Sequence, residues 1–100
     1  MDWLKQVVNN QEESRFDIKV DQEVAFAEYR ERKEYIIYPH AVVPEAIGGR
    51  GIGEALATYA MQYARENDLK IKPYCPFIAH FMKIKLEEYG DLLADGFRLP

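Results

Sequence analysis

The 100-residue sequence is short of several things, and each shortage excludes a class of protein. There is one cysteine, Cys75, so no intrachain disulfide framework can form, and a reducing cytoplasm is the expected setting. There is no excess of positive charge. The formal charge is −4, which argues against a sequence-nonspecific nucleic-acid binder, because that needs a basic face. No apolar run approaches the ~20 residues that span a bilayer, so no membrane partner is expected. The first residues, Met-Asp-Trp-Leu-Lys, do not read as a basic region followed by a long apolar one. One cysteine and two distant histidines, His40 and His80, give no metal-ligand spacing. Internal repeats and low-complexity stretches are also absent. What remains is an ordinary globular composition and a length that fits one domain over 1–100, with 1–8 and 94–100 expected to fray.

The feature that is abundant is local. Gly48, Gly49, Gly51 and Gly53 fall within six positions, between an apolar strand ending at Val43-Pro44 and an amphipathic helix. Such a turn puts bare backbone N–H groups at a helix N-terminus, where a phosphate can dock. Arg50 adds a guanidinium suited to phosphate oxygens. Gly48 and Gly53 have the Walker spacing, but Glu54 and Ala55 follow where Lys and Ser or Thr are required. A dinucleotide fingerprint starting at Gly49 and Gly51 meets Glu54 where its third glycine belongs. Both familiar phosphate loops are therefore disfavoured.

The pattern along the chain predicts a mixed α/β (α+β) domain. Residues 1–14 read as an early strand or short helix and then a turn. Phe16, Ile18 and Val20 alternate with charged residues as a half-buried strand. Asp21-Gln22 fits a tight hairpin into a second strand running to about Arg30, and 31–34 is a solvated charged turn. A third strand covers 34–43, apolar on both faces, with a break expected at Pro39. The main helix is expected over about 50–66, with Ile52, Leu56, Tyr59, Ala60 and Tyr63 as its buried stripe. Leu69, Ile71 and Tyr74 suggest a further strand, parallel to the third. Pro76 suits the first position of a second helix, carrying Phe77, Ile78, Phe81, Met82 and Ile84. A helical turn is expected over 86–93, with Tyr89 packing in the core.

The stretch around the glycines resembles the acetyl-CoA loop of the GNAT superfamily of N-acetyltransferases. The resemblance extends to its small single-domain, YjdJ-like branch from about Val7 to Leu93. Its marks are Ser14-Arg-Phe16, His40-x-x-Val43, Gly49-Arg-Gly-Ile-Gly53, Arg65-Glu-Asn-x-Leu69-Lys70, Cys75-Pro-Phe77 and Tyr89-x-Asp91-Leu92. It implies a GNAT-like mixed sheet: three antiparallel strands, then a β-loop-α-β-α half that binds the cofactor. It also implies acetyl transfer from acetyl-CoA to a primary amine, on a small molecule or a peptide side chain. The cofactor residues implied are Val42 and Val43, which pair with pantetheine and polarise the thioester carbonyl, and the loop Gly48, Gly49, Arg50, Gly51, Ile52 and Gly53. Gly48 departs from the pattern, since it stands where a Gln or Arg is usual. The residues from His80 to Lys83 hold no tyrosine where the family often places its general acid. The family's helical pair walling the acceptor site is not found, so an open groove is expected.

Two residues are candidates for the chemistry. Cys75 precedes a helix N-terminus, which favours a thiolate, and in the resembled branch lies beside the cofactor's thiol end. It is read as a nucleophile or an acid–base group, or as a small buried apolar residue. His40, on the strand leading into the loop, is read as a base or as a hydrogen-bonded core residue. The rival to an enzyme is a CoA-binding or acyl-CoA-binding module with little turnover. The oligomeric state is not readable from the sequence.

Overall fold

A computed structural model describes residues 2–99. Positions 1 and 100, in the two terminal stretches expected to fray, lie outside them. After a 3-10 turn at Trp3–Gln6, the strands are β1 (Val8–Asn10), β2 (Arg15–Val20), β3 (Glu23–Glu28), β4 (Arg30–Glu31), β5 (Tyr35–Tyr38) and β6 (Ala41–Val42). A 3-10 turn at Glu45–Ile47 leads to α1 (Ile52–Glu66), then β7 (Lys70–Pro73), α2 (Pro76–Ile84) and α3 (Leu86–Tyr89). The mixed α/β class expected from the sequence is the one observed.

The strands form two sheets, β1-β2-β3-β6 and β4-β5-β7. All pairs are antiparallel except β5 with β7. The hairpin at Asp21-Gln22 is two residues long, since Val20 faces Glu23 across it. Asp21 takes the positive φ (56°) that such a turn demands.

The expected third strand is not one strand. It breaks at Pro39 and His40 and changes partners there. Tyr38 still pairs with Pro73 of β7, whereas Ala41 and Val42 pair with Ala27 and Phe26 of β3. Pro39 has no N–H for a ladder, so the switch falls where pairing is weakest. β5 and β6 therefore turn to different neighbours, and a cleft opens beside β6. The early strand or short helix read in 1–14 is a 3-10 turn followed by β1, which joins the antiparallel side beyond the three main strands.

The core lies between the inner face of the first sheet and α1. Phe16, Ile18, Ala25 and Ala27 are fully buried against Leu56, Ala60, Met61 and Ala64. Helical stripe and strand alternation thus close on each other. Tyr59 and Tyr63 of the expected stripe are only partly buried and pack at its border. α2 carries all five apolar residues expected on it; Ile78, Phe81 and Met82 are buried together with Ala79, whereas Phe77 and Ile84 are exposed. Ile84 projects to water at the end of the helix, whereas the partly exposed Phe77 ring lies beside Gly53. Tyr74 is not a strand residue. It is exposed and its ring packs edge-on to Phe97 at 5.2 Å.

One end of the core is a tyrosine cluster around Phe16. Its ring lies 4.7 Å from Tyr29, 4.8 Å from Tyr59 and 5.2 Å from Tyr63. The Tyr38 hydroxyl donates to the Ala60 carbonyl at 2.7 Å, tying β5 to α1. Tyr63 donates to Glu31 at 2.5 Å, and Tyr29 to Asn9 at 2.8 Å. Burial pushes the phenols of Tyr29, Tyr38, Tyr63 and Tyr89 up, and the Glu31 carboxylate adds to the rise at Tyr63. Each phenol thus keeps its proton in the fold at a pH where the unfolded chain has lost it, near 10. The folded state then binds more protons than the unfolded one, and stability falls as pH rises. Urea unfolding at pH 8, 10 and 11 is expected to show a midpoint that drops steeply above about pH 10. Tyrosinate absorbance is expected to appear together with unfolding. A midpoint flat across that range contradicts this account.

Candidate active site

The cleft has a volume of about 420 Å³ and is walled by β6, the glycine loop, the first turn of α1 and the start of α2. That is the size of a small-ligand site. Its floor is apolar, with Ala27, Ile52, Leu56 and Ile78 among the lining residues.

The loop is shaped by two left-handed glycines, Gly49 (φ 75°) and Gly51 (φ 84°). A Cβ at either meets nothing within 4 Å, so it is the backbone angle that calls for glycine there. Gly51 is the N-cap of α1, and no side chain caps this end of the helix. The first intrahelical bond runs from the Ala55 amide to the Gly51 carbonyl, 3.1 Å. The amides of the preceding turn, Ile52, Gly53 and Glu54, therefore have no intrahelical acceptor. They and the helix dipole present positive potential to the cleft mouth.

Gly53 lines the cleft for another reason. A Cβ there would stand 3.0 Å from the ring tip of Phe77, so its bareness lets α2 pack close to α1. Gly48, with φ −69°, is an ordinary extended residue that also lines the cleft. The Arg50 side chain is exposed and is not part of the lining. Its carbonyl accepts the Trp3 indole N–H at 3.0 Å, which pins the loop from outside.

Strand phase decides which backbone groups of β6 face the cleft. The Glu28 amide donates to the His40 carbonyl at 3.0 Å. Antiparallel ladders alternate, so Val42 is engaged with Phe26, while the N–H and C=O of Ala41 point away from β3 into the cleft. Ala41 and Val43 line the cleft, whereas Val42 does not and is exposed on the outer face. Of the pair read from the sequence, Val43 is at the cleft and Val42 is one residue out of phase. Ala41, which takes that place, was missed: only the ladder shows it.

His40 and Cys75 are not brought together. Cys75 is 2% exposed, outside the cleft lining, with its amide donating to the Tyr38 carbonyl at 2.8 Å. It sits at the N-cap of α2, with Pro76 following as the sequence predicts. His40 lies on the outer face of the sheet, with its side chain 52% exposed and Nδ1 3.2 Å from the Glu28 carboxylate. Glu28 carries no sequence pattern of its own; its link to His40 is a product of register. Among the described residues no cluster of His, Cys, Asp and Glu could hold a metal ion, and no helix is long and apolar enough to cross a membrane.

Comparison with known proteins gives two matches. The family model described as GCN5-related N-acetyl-transferase matches residues 15–92. A curated relative, Protein NATD1 of Xenopus tropicalis, is 38% identical over 63 residues, which is 63% of this chain and 57% of the relative. The matched stretch thus spans little more than half of that relative's length. The family match covers β2 through α3, so it takes in the cleft, the loop, His40 and Cys75.

Proposed function

Because the chain belongs to the GCN5-related N-acetyltransferase family, we propose that its cleft binds acetyl-CoA and that its activity is acetyl transfer to a primary amine. The observation that carries this is the uncapped N-terminus of α1, reached through two left-handed glycines and opening onto the cleft beside β6. The pyrophosphate is assigned to the amides of Gly51, Ile52 and Gly53, which supply fixed donors at the positive end of a helix dipole. The pantetheine arm is assigned to the free edge of β6, where an amide can add to Ala41 and Val43 as a further strand does. The thioester carbonyl then has the Val43 region as its source of backbone donors, in the manner of an oxyanion hole. Acetyl-CoA acts here as the donor substrate and supplies the activated acyl group.

Cys75 is the weaker of the two chemical candidates. Its burial and its place outside the cleft lining favour direct transfer over an acetyl-cysteine intermediate. The cleft mouth at the glycine loop is exposed, with Gly48, Gly49 and Gly51 all open to solvent, so the acceptor is read as a small amine or a side chain of a peptide. A binding module with little turnover is the second reading. What favours it is that no tyrosine lines the cleft to protonate a leaving thiolate.

Calorimetry with CoA, followed by release of free thiol from acetyl-CoA with a panel of amines, tests the proposal. Saturable binding with amine-dependent release is expected. Binding without release from any amine supports the module, and no binding refutes both. Intact mass after mixing with acetyl-CoA is expected to show no acetyl group on Cys75; a mass gain there restores the covalent route.

A further inference from the structure

The glycine loop has few fastenings of its own. The Gly48 amide donates to the Glu45 carbonyl at 3.1 Å, closing the 3-10 turn before it, and the Ala55 amide donates to the Gly51 carbonyl at 3.1 Å, opening α1. Between these two bonds lie Gly49, Arg50 and Gly51, and both glycines have positive φ. Among the described residues, one hydrogen bond reaches this stretch from a distant part of the chain. It runs from the Trp3 indole N–H to the Arg50 carbonyl, 3.0 Å, between residues 47 positions apart. Trp3 opens a 3-10 turn that packs against α1 and β2, and its ring lies partly buried against the core. The indole is thus anchored by the body of the fold and not by the loop it touches.

Resting on the cofactor reading above, we infer that Trp3 is a positioning residue for cofactor binding: its indole N–H locks the Arg50–Gly51 peptide with the Gly51 amide turned to the cleft. The peptide is trans, and a trans peptide holds its C=O and N–H on opposite sides. The Arg50 carbonyl points to the indole, so the Gly51 N–H points away from it. Gly51 lines the cleft, and Trp3 does not. Nothing in the loop's own chemistry selects this orientation, because glycine adopts both signs of φ. A flipped peptide would face a carbonyl oxygen, itself partly negative, toward an incoming pyrophosphate. The flip would also strip the indole of its acceptor and the carbonyl of its donor, so the Trp3 bond favours the binding form. A donor set before the ligand arrives spares the cost of ordering it on binding. A neutral hydrogen bond has a modest net worth, so the expected effect is a fraction of the binding energy and not its loss.

Trp3 is the chain's one tryptophan, so an analogue supplied to a tryptophan auxotroph replaces this side chain alone. The full chain is prepared with tryptophan, with 5-fluorotryptophan, which keeps the N–H, and with β-(3-benzothienyl)alanine, which has sulfur in its place. Trp3→Phe is the recombinant variant without the donor. CoA affinity is measured by calorimetry and stability by urea unfolding. The benzothienyl chain and Trp3→Phe are expected to bind CoA about fivefold more weakly, and the fluorotryptophan chain to bind as the wild type does. The urea midpoint of the benzothienyl chain is expected to match that of the wild type. A ring that served packing alone would leave the benzothienyl chain at wild-type affinity. CoA affinity in that chain within about twofold of wild type therefore overturns the inference. So does an equal loss in the fluorotryptophan chain, which would assign the effect to the ring and not to the N–H. A benzothienyl chain that loses stability along with affinity also overturns it, because the bond would then serve the fold. Failure of CoA to bind the wild type falls on the cofactor reading itself and takes this one with it.

Discussion

Gly51→Val is expected to cut CoA affinity about 100-fold while leaving the sheet folded, a change of about 2.8 kcal/mol at tenfold per 1.4 kcal/mol. Gly51 sits at φ 84° with open space where a Cβ would go, so a Cβ there meets no clash. Its penalty is in the backbone: a β-branched residue held in the left-handed region costs about 1–3 kcal/mol. The loop can relieve that strain by swinging Gly51 out of the left-handed region. Doing so turns away the amides at the start of α1, which no side chain caps. Folding loses little from that rearrangement, but a docked pyrophosphate loses its donors. Gly96→Val is the control. Gly96 has φ 79° and an equally open Cβ position, but it lies in the C-terminal segment away from the cleft. It is expected to lose similar stability and to bind CoA as the wild type does. Calorimetry and urea midpoints on the two variants check this. Equal CoA affinity in Gly51→Val and wild type removes the loop from the site.

Phe16→Ala is expected to be the most damaging single substitution to the fold. The ring is fully buried and is the hub of the tyrosine cluster, within 6.1 Å of Tyr38 as well as close to Tyr29, Tyr59 and Tyr63. Emptying such a site costs about 3–5 kcal/mol in lost transfer energy and cavity. Total stabilities of small domains are about 5–15 kcal/mol, so much of the margin goes. At about 4–8 °C per kcal/mol, the melting temperature falls by roughly 12–40 °C, read by calorimetry or circular dichroism. Val8→Ala, on the exposed outer face, is expected to stay within about 0.5 kcal/mol of wild type. A Phe16→Ala midpoint within a few degrees of wild type contradicts the packing described.

What the sequence determined by itself is whatever depends on neighbours along the chain. The alternation of Phe16, Ile18 and Val20 marks a half-buried strand because side chains alternate every residue in any strand. The stripe from Ile52 to Ala60 marks α1, Pro76 marks the start of α2, and the glycines from Gly48 to Gly53 mark a tight approach to a helix N-terminus. Each of these is a local rule of backbone geometry, and the family resemblance rested on the same local runs.

The tertiary structure alone decided everything that depends on which strand lies beside which, and in what phase. Ala41 rather than Val42 faces the cleft because the Glu28–His40 backbone bond fixes the ladder's alternation, and shifting it by one residue would exchange them. Glu28, twelve residues before His40, becomes its partner through that same register. Gly53 is bare because Phe77 comes from another helix, and Cys75 is sealed because the chain folds around it. Pattern and spacing fix the conformation of a segment, but pairing energy is shared between segments, and only the assembled sheet selects one register from the many each strand permits.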